Sequence, residues 1–234
     1  MRVRDAASGR HRRPIRSFVK RSGRLTPSQK RALSELWPEY GLDAGAGRLE
    51  LDAAFGRRMP RVLEIGFGNG ESLVSEARAH PELDFLGIEV HDPGIGHCLL
   101  AARAAGLSNL RVVAADALDV LETGIPAASL RRINLYFPDP WPKKRHHKRR
   151  IVQPAFVDLC AAALEAGGTL RIATDWADYA EHIEAVLAAS DRFALTERRE
   201  HAGDAPLERP ATKFERRGVA RGHRIVDWVF TKCG

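Results

Sequence analysis

From residue 61 onward the chain alternates short apolar runs with segments of helical period, and that rhythm restricts the fold more than any other feature. RVLEI (61–65), DFLGIE (84–89), NLRVVAAD (109–116), RRINLYF (131–137) and TLRIATD (169–175) read as strands. Between them the apolar residues recur at helical spacing. One such segment follows Gly70 and another ends near Gly106. VQPAFVDLCAAALEA (152–166) is stopped by Gly167 and Gly168, and DYAEHIEAVLAA spans 178–189. Parallel strands need a long crossover, and a helix supplies it. The alternation therefore predicts an α/β fold with a doubly wound, mostly parallel sheet. HRIVDWVF (223–230) predicts a further core strand that carries no chemistry. Thr26 or Ser28 predicts the cap of a short helix through Ser34, with Pro27 near its first turn. GLDAGAG (41–47) predicts a loop. Open sheets of this kind gather their sites at the carboxyl ends of the strands.

With 234 residues, 44% of them hydrophobic, the chain suits one domain with an extension. The expected division is 1–50 for a basic arm and short helix and 51–234 for the domain. No apolar run approaches the roughly 20 residues that span a bilayer, so no membrane partner is expected. The start, MRVRDAASGRHRRPIR, lacks the apolar core of a secretory signal. Cys98, Cys160 and Cys233 are far apart and give neither a metal-ligand spacing nor a disulfide framework. No metal is expected, and a reducing cytoplasm is the expected location. The net charge of +7 is segregated: residues 1–24 hold nine Lys/Arg against one acid, Asp5, which leaves the body close to neutral. Such segregation points to a polyanionic partner.

The first strand runs into Glu64-Ile65-Gly66-Phe67-Gly68-Asn69-Gly70. Glycines there permit a tight turn and close approach of a ligand to the backbone. A dinucleotide fingerprint would place its third glycine at 71, where this chain has Glu71. A carboxylate at that helix start opposes a pyrophosphate, which disfavours a nicotinamide dehydrogenase. Glu64, just before the glycines, points instead to a ligand with positive charge. S-adenosylmethionine (SAM) carries a sulfonium and an ammonium and no phosphate. Glu89 ends the second strand, where an acid receives the ribose hydroxyls of a nucleoside ligand. Asp116 ends the third and suits an adenine amino group.

A fourth acid follows the fourth strand in FPDPWPKKRHHKRR, Phe137 to Arg150. Asp139 stands in a frame of Pro138, Pro140 and Pro142, which fixes the backbone and keeps the acid out of a helix. Six Lys/Arg and two His fill the next eight residues, Lys143 to Arg150. A charge run alone is most often a solvated face. A carboxylate on a stiff loop beside a cationic strip, at a strand end, suggests chemistry on a polyanion.

At these residues the chain resembles the class I SAM-dependent methyltransferases, and within them the bacterial tRNA (guanine-N7-)-methyltransferase family. The matching segments are RSFVKRSGRLTPSQ, VLEIGFGNGESL, FLGIEVHDPGIGHCL, FPDPWPKKRHHKRRI, ATDWADYAEHI and RPATKFERRG. The resemblance implies a Rossmann-like methyltransferase fold and transfer of methyl from SAM to N7 of guanosine 46 in the tRNA variable loop. It implies that Glu64, Gly66, Gly68, Gly70, Glu89, Asp116 and Asp139 bind SAM, Asp139 being also the catalytic acid. Lys143, Asp175, Thr212, Lys213, Phe214 and Glu215 would contact the target nucleotide. Arg145, His146, His147, Lys148, Arg149 and Arg150 would contact the RNA. No obligate protein partner is expected.

Guanine N7 has a free lone pair, so the reaction needs no strong base and rests on positioning. Glu215 or Asp175 could accept from the guanine N1–H and amino group; Asp175 could equally cap the helix after it. Phe214 and Trp141 are candidates to stack on the base, Trp141 equally a loop anchor. Enzymes that methylate exocyclic amines tend to carry two consecutive prolines after the acid or amide, which Asp139-Pro140-Trp141-Pro142 lacks. A non-catalytic RNA-binding protein would have no need of all four acids.

Overall fold

Five adjacent parallel strands, largely buried, set the plan of the molecule. The computed structural model describes residues 16–18, 23–202, 209–210 and 212–234, with the backbone alone at 46, 213 and 214. The arm up to residue 15 and the side chains of Lys213 and Phe214, expected to serve the RNA and the target nucleotide, lie outside the described residues.

Among the described residues eight strands form one sheet: β1 (Gly41–Leu42), β2 (Arg61–Ile65), β3 (Asp84–Glu89), β4 (Leu110–Ala114), β5 (Leu130–Tyr136), β6 (Leu164–Thr174), β7 (Phe193–His201) and β8 (Ile225–Lys232). Their order is β1-β4-β3-β2-β5-β6-β8-β7. Strands β1 to β6 run parallel, and β8 is antiparallel to both β6 and β7. The helices are α1 (Pro27–Glu35), α2 (Trp37–Tyr40), α3 (Leu51–Phe55), α4 (Glu71–Ala79), α5 (Asp92–Ala104), α6 (Ala117–Asp119), α7 (Pro154–Ala163), α8 (Ala177–Ala188) and α9 (Lys213–Val219).

Successive strand residues point to opposite faces, so the core divides in two. Val62, Phe85 and Val112 face one side with Ala32 of α1, Leu73 of α4 and Ile95 of α5. Leu63, Leu86 and Val113 face the other with Phe156 of α7 and Ile183 of α8. Burying each such side chain stabilises the fold by about 1.5–3 kcal/mol. On β5, β6 and β8 the pattern becomes one-sided. Ile133, Leu135, Ile172, Trp228 and Phe230 join the α7/α8 core. Arg132, Asn134, Arg171 and Asp227 alternate with them in sequence and share the opposite face by register.

Several elements depart from expectation. Residues 27–42 are part of the domain: β1 pairs with β4, and Ala32 and Tyr40 are buried in the core. The basic composition of the first two dozen residues does not mark the domain edge. Thr26 does cap α1, in a capping box with Gln29. Helix α7 ends at Ala163, before the two glycines, because Gly167 (φ +71) and Gly168 are absorbed in a bulge of β6. β7 has no counterpart in the sequence reading. It is an edge strand, largely exposed, with Glu197, Arg198, Arg199 and Glu200 in succession, so its apolar alternation is too weak to see.

Candidate active site

The strand order reverses at β2, which lies between β3 and β5. Register pairs Glu64 with Asn134 and Ile65 with Leu135. The chain therefore leaves β2 into Gly66–Gly70 and leaves β5 into Phe137–Trp141 side by side, at the point where such sheets open a crevice. Gly66, Gly68 and Gly70 take φ of 69°, 57° and 78°, the left-handed region that disfavours side chains. The Gly68 amide donates to Glu89 Oε2 at 2.8 Å, and the Val90 and His91 amides donate to Oε1 at 2.7 and 3.1 Å. Glu89 thus clasps the glycine loop to the turn after β3. Helix α5 closes on the same loop through Gly94, where a Cβ would stand 2.2 Å from the Gly68 carbonyl oxygen.

Glu64 is 4% exposed, and its Oε2 has no hydrogen-bond partner. Burial first, then the charge of Glu76, pushes its carboxyl from 4.5 up to about 8. A buried carboxyl with an unused oxygen gains most from a cation. Asp116 caps α6, its Oδ1 accepting from the Leu118 amide at 3.1 Å, and burial raises its pKa as well. Acids at the ends of β2 and β3 and just after β4, with no Lys or Arg in residues 64–71, suit a cationic nucleoside without phosphate. SAM fits that donor set.

The turn after β5 carries two residues in the left-handed region, Phe137 (φ 52°) and Trp141 (φ 46°). Such backbone costs about 1–3 kcal/mol per residue and persists only when the surroundings impose it. Here the Phe137 amide donates to Ala173 O at 2.8 Å, and Arg150 Nε donates to Pro140 O at 2.9 Å. Trp141 Nε1 donates to Ser17 O at 3.0 Å. Asp139, between them, lies outside helix and strand and is exposed.

The basic strip forms a 3₁₀ helix, Lys144–Arg149. With three residues per turn, side chains three apart share a side. His147 and Arg150 turn inward. Arg150 is 2% exposed, packs over the Tyr179 ring and forms an ion pair with Asp178. Arg149 stacks on Trp141 at 3.9 Å and donates to Arg16 O and Phe18 O at 3.0 and 3.1 Å. Both were expected on the RNA; Arg150 is buried in the protein, and Arg149 is half-buried and bonded to it. Lys143, Lys144, Arg145 and Lys148 are exposed. His146 is held below its ordinary pKa by desolvation and then by the cations around it, Arg145 first.

Asp175 does not cap α8, whose first turn has no side-chain cap. Its Oδ2 lies 2.9 Å from His223 Nδ1, and Gly218 of α9 packs so closely that a Cβ there would stand 2.6 Å from the same oxygen. Thr212 and Glu215 form the capping box of α9. Glu215 is 1% exposed, and its Oε2 accepts from Arg209 Nη1 at 2.6 Å. Glu215 was expected at the target base and is turned into the protein, which leaves half-buried Asp175 as the more open acid. Arg216 reaches Glu71 at 2.6 Å, tying α9 to the start of α4.

Residues 58–228 match a protein family described as "Putative methyltransferase". A tRNA (guanine-N(7)-)-methyltransferase of Alkalilimnicola ehrlichii is 56% identical, over 97% of this chain and 96% of the relative. One from Nitrosococcus oceani is 55% identical over 94% and 92%. The chain belongs to the tRNA (guanine-N(7)-)-methyltransferase family. Solved structures show the same fold at much lower identity. TrmN from Thermus thermophilus aligns with a TM-score of 0.54 and 22% identity, over 81% of this chain and 48% of that one. The 16S rRNA methyltransferase KamB aligns at 0.57 and 19%, over 78% and 94%. The doubly wound reading is thus a class I methyltransferase fold.

The sequence reading set four acids at the ends of successive strands: Glu64 lies in β2 just before its last residue, Ile65, Glu89 ends β3, and Asp116 and Asp139 follow β4 and β5. The sequence reading missed Gly94, Arg209, His223 and Asp227. HDPGIG held a signal for Gly94, since glycine inside a helical segment costs about 1 kcal/mol without a packing reason. Asp227, in a strand assigned no chemistry, binds Arg209 and His201.

Proposed function

We propose that this chain transfers the methyl group of SAM to N7 of guanosine 46 in the variable loop of tRNA. Family membership supports guanine-N7 methylation of tRNA; the position within the tRNA is the finer part of the reading. The observation that carries the site is the switch point, where the acid-lined glycine loop and the Asp139 turn lie side by side, with exposed cations from Lys143 to Lys148 just beyond. Bound SAM supplies an electrophilic methyl on a positively charged sulfur.

Glu64, Glu89 and Asp116 hold the nucleoside and its charge, and the backbone at Gly66, Gly68 and Gly70 makes room for it. N7 carries no proton, so the chain's task is alignment, which can supply about 7–11 kcal/mol of a barrier. Methylated guanine is cationic. Asp139, exposed at the crevice, stabilises that charge as it develops and orients the base. Asp175 accepts from the N1–H and amino group. Adenine lacks both donors there and would leave the acid unpaired. Lys143 and Thr212 contact the target nucleotide. Arg145 and Lys148 bind phosphates without reading sequence.

The test is transfer of labelled methyl to an unmodified tRNA transcript, beside one with guanosine 46 changed to adenosine. Label on the first alone, released as 7-methylguanosine, is the expected result. Label on both overturns the position. No label from enzyme that binds SAM and tRNA overturns the reaction.

A further inference from the structure

We infer that Arg209 is a positioning residue for methyl transfer, locking the Phe137–Trp141 turn to the start of α9. The inference rests on the reading of Asp139 and α9 as parts of the site. Arg209 is 7% exposed and joins three elements and the turn after β5. Its Nε donates to Asp227 Oδ1 of β8 at 2.8 Å. Its Nη1 donates to Glu215 Oε2 of α9 at 2.6 Å. Its guanidinium lies over the rings of Tyr136, at the end of β5, and Phe137, 4.9 and 5.4 Å from their centroids. Asp227 Oδ2 in turn lies 2.8 Å from His201 Nε2 at the end of β7.

Three observations separate this arrangement from ordinary packing. First, burying one cation with two carboxylates is expensive, and an apolar cluster of the same volume stabilises a fold as well or better. The other face of these same strands is packed that way, with Ile133, Leu135 and Trp228. Second, the guanidinium covers Phe137, whose left-handed φ of 52° sets the exit of the chain toward Asp139. Third, the other end of the tie is Glu215, whose capping box with Thr212 fixes where α9 begins. Helix α9 is thereby registered against the turn through β8, a strand paired on both sides. A planar fork can donate to two carboxylates and stack on rings at once, and an ammonium cannot. The tie therefore governs where Asp139 stands relative to the nucleotide pocket, and a misplacement of 1 Å can cost about a hundredfold in rate.

The test compares R209K, D139N and wild type. Each is scored on the fraction of enzyme that binds SAM, by single-turnover methylation at saturating SAM and tRNA. R209K keeps the buried positive charge and loses the fork. Its rate is expected to fall at least about tenfold while its SAM Kd stays within about twofold of wild type, because Glu64, Glu89 and Asp116 lie on or beside β2, β3 and β4, none of which Arg209 joins. Arg209→Ala provides a second readout: methylguanidinium should restore part of its rate and methylammonium should not. An R209K rate within about twofold of wild type, with D139N slow, overturns the inference and leaves the site reading intact. A rate loss matched by an equal loss of SAM affinity makes Arg209 merely structural and also overturns it. D139N at the wild-type rate overturns the site reading and the inference with it.

Discussion

Lys148 and Arg150 stand two residues apart in one basic run and do opposite things. Arg150 is inward, bonded to Pro140 O and paired with Asp178 beneath the Asp139 turn. Lys148 is exposed. Arg150→Gln should therefore lower stability by about 1–3 kcal/mol, read by urea unfolding, because its hydrogen bonds and packing go with the guanidinium. Lys148→Gln should leave unfolding unchanged, weaken tRNA binding and make its salt dependence shallower by about one unit of slope. Equal stability effects for the two would refute the division of the strip. Glu64 gives a pH signature. Its carboxyl, near 8 when folded against 4.5 ordinarily, keeps a proton that the unfolded chain has already released. Stability of the cofactor-free protein should then fall as pH rises from about 4.5 to about 8, by roughly 1.4 kcal/mol per pH unit at most. Glu64→Gln should remove that slope in a thermal midpoint series, and SAM should bind more tightly as pH rises through the same window. Parallel midpoint curves for the two proteins would count against a protonated Glu64. The sequence marked Glu64 as an acid facing a cation. Its proton depends on its burial in the fold and on the charge of Glu76 in α4.

Among elements, the central strands and long helices were legible because their patterns are strong. β2 and β3 run over the residues that the apolar runs predicted, and Thr26, one of the two caps expected, does cap α1. The misses share one cause, that the deciding contact lies far away in sequence. Gly167 and Gly168 read as a helix stop, yet pairing with β5 draws them into β6. β7 exists because β8 offers it an edge, and little in its own composition asks for a strand. Gly94 is the sharpest case. Nothing local requires glycine in α5, but the Gly68 carbonyl lies 2.2 Å from where its Cβ would be. Gly94→Ala should push α5 off the glycine loop and weaken SAM binding by at least about tenfold, or about 1.4 kcal/mol, in a calorimetric titration. Unchanged affinity would mean that the loop tolerates the displacement.

At the scale of the molecule, two parts of the chain remote in sequence meet at the Asp139 turn. Arg16–Phe18 dock there through backbone carbonyls, taken by Trp141 and Arg149. Removing residues 1–15 deletes Arg2, Arg4, Arg10, Arg12 and Arg13 and spares that docking. Affinity for tRNA should fall and its salt dependence flatten, by about 0.9 in slope for each phosphate that the arm no longer neutralises, with SAM affinity unchanged. Identical slopes would exclude the arm from RNA binding. The sequence by itself determined the parallel α/β plan, the acids at the strand ends, the glycine loop and the segregated positive charge. All of these are written in local order: period, punctuation and residue type within a few positions. The tertiary structure alone decided which cations face solvent, that Glu215 turns inward while Asp175 stays half open, and that Arg209 joins β5, β8 and α9. Those outcomes depend on burial and on partners brought in from other elements, and burial is what sets the cost of a charge and therefore where its side chain must go.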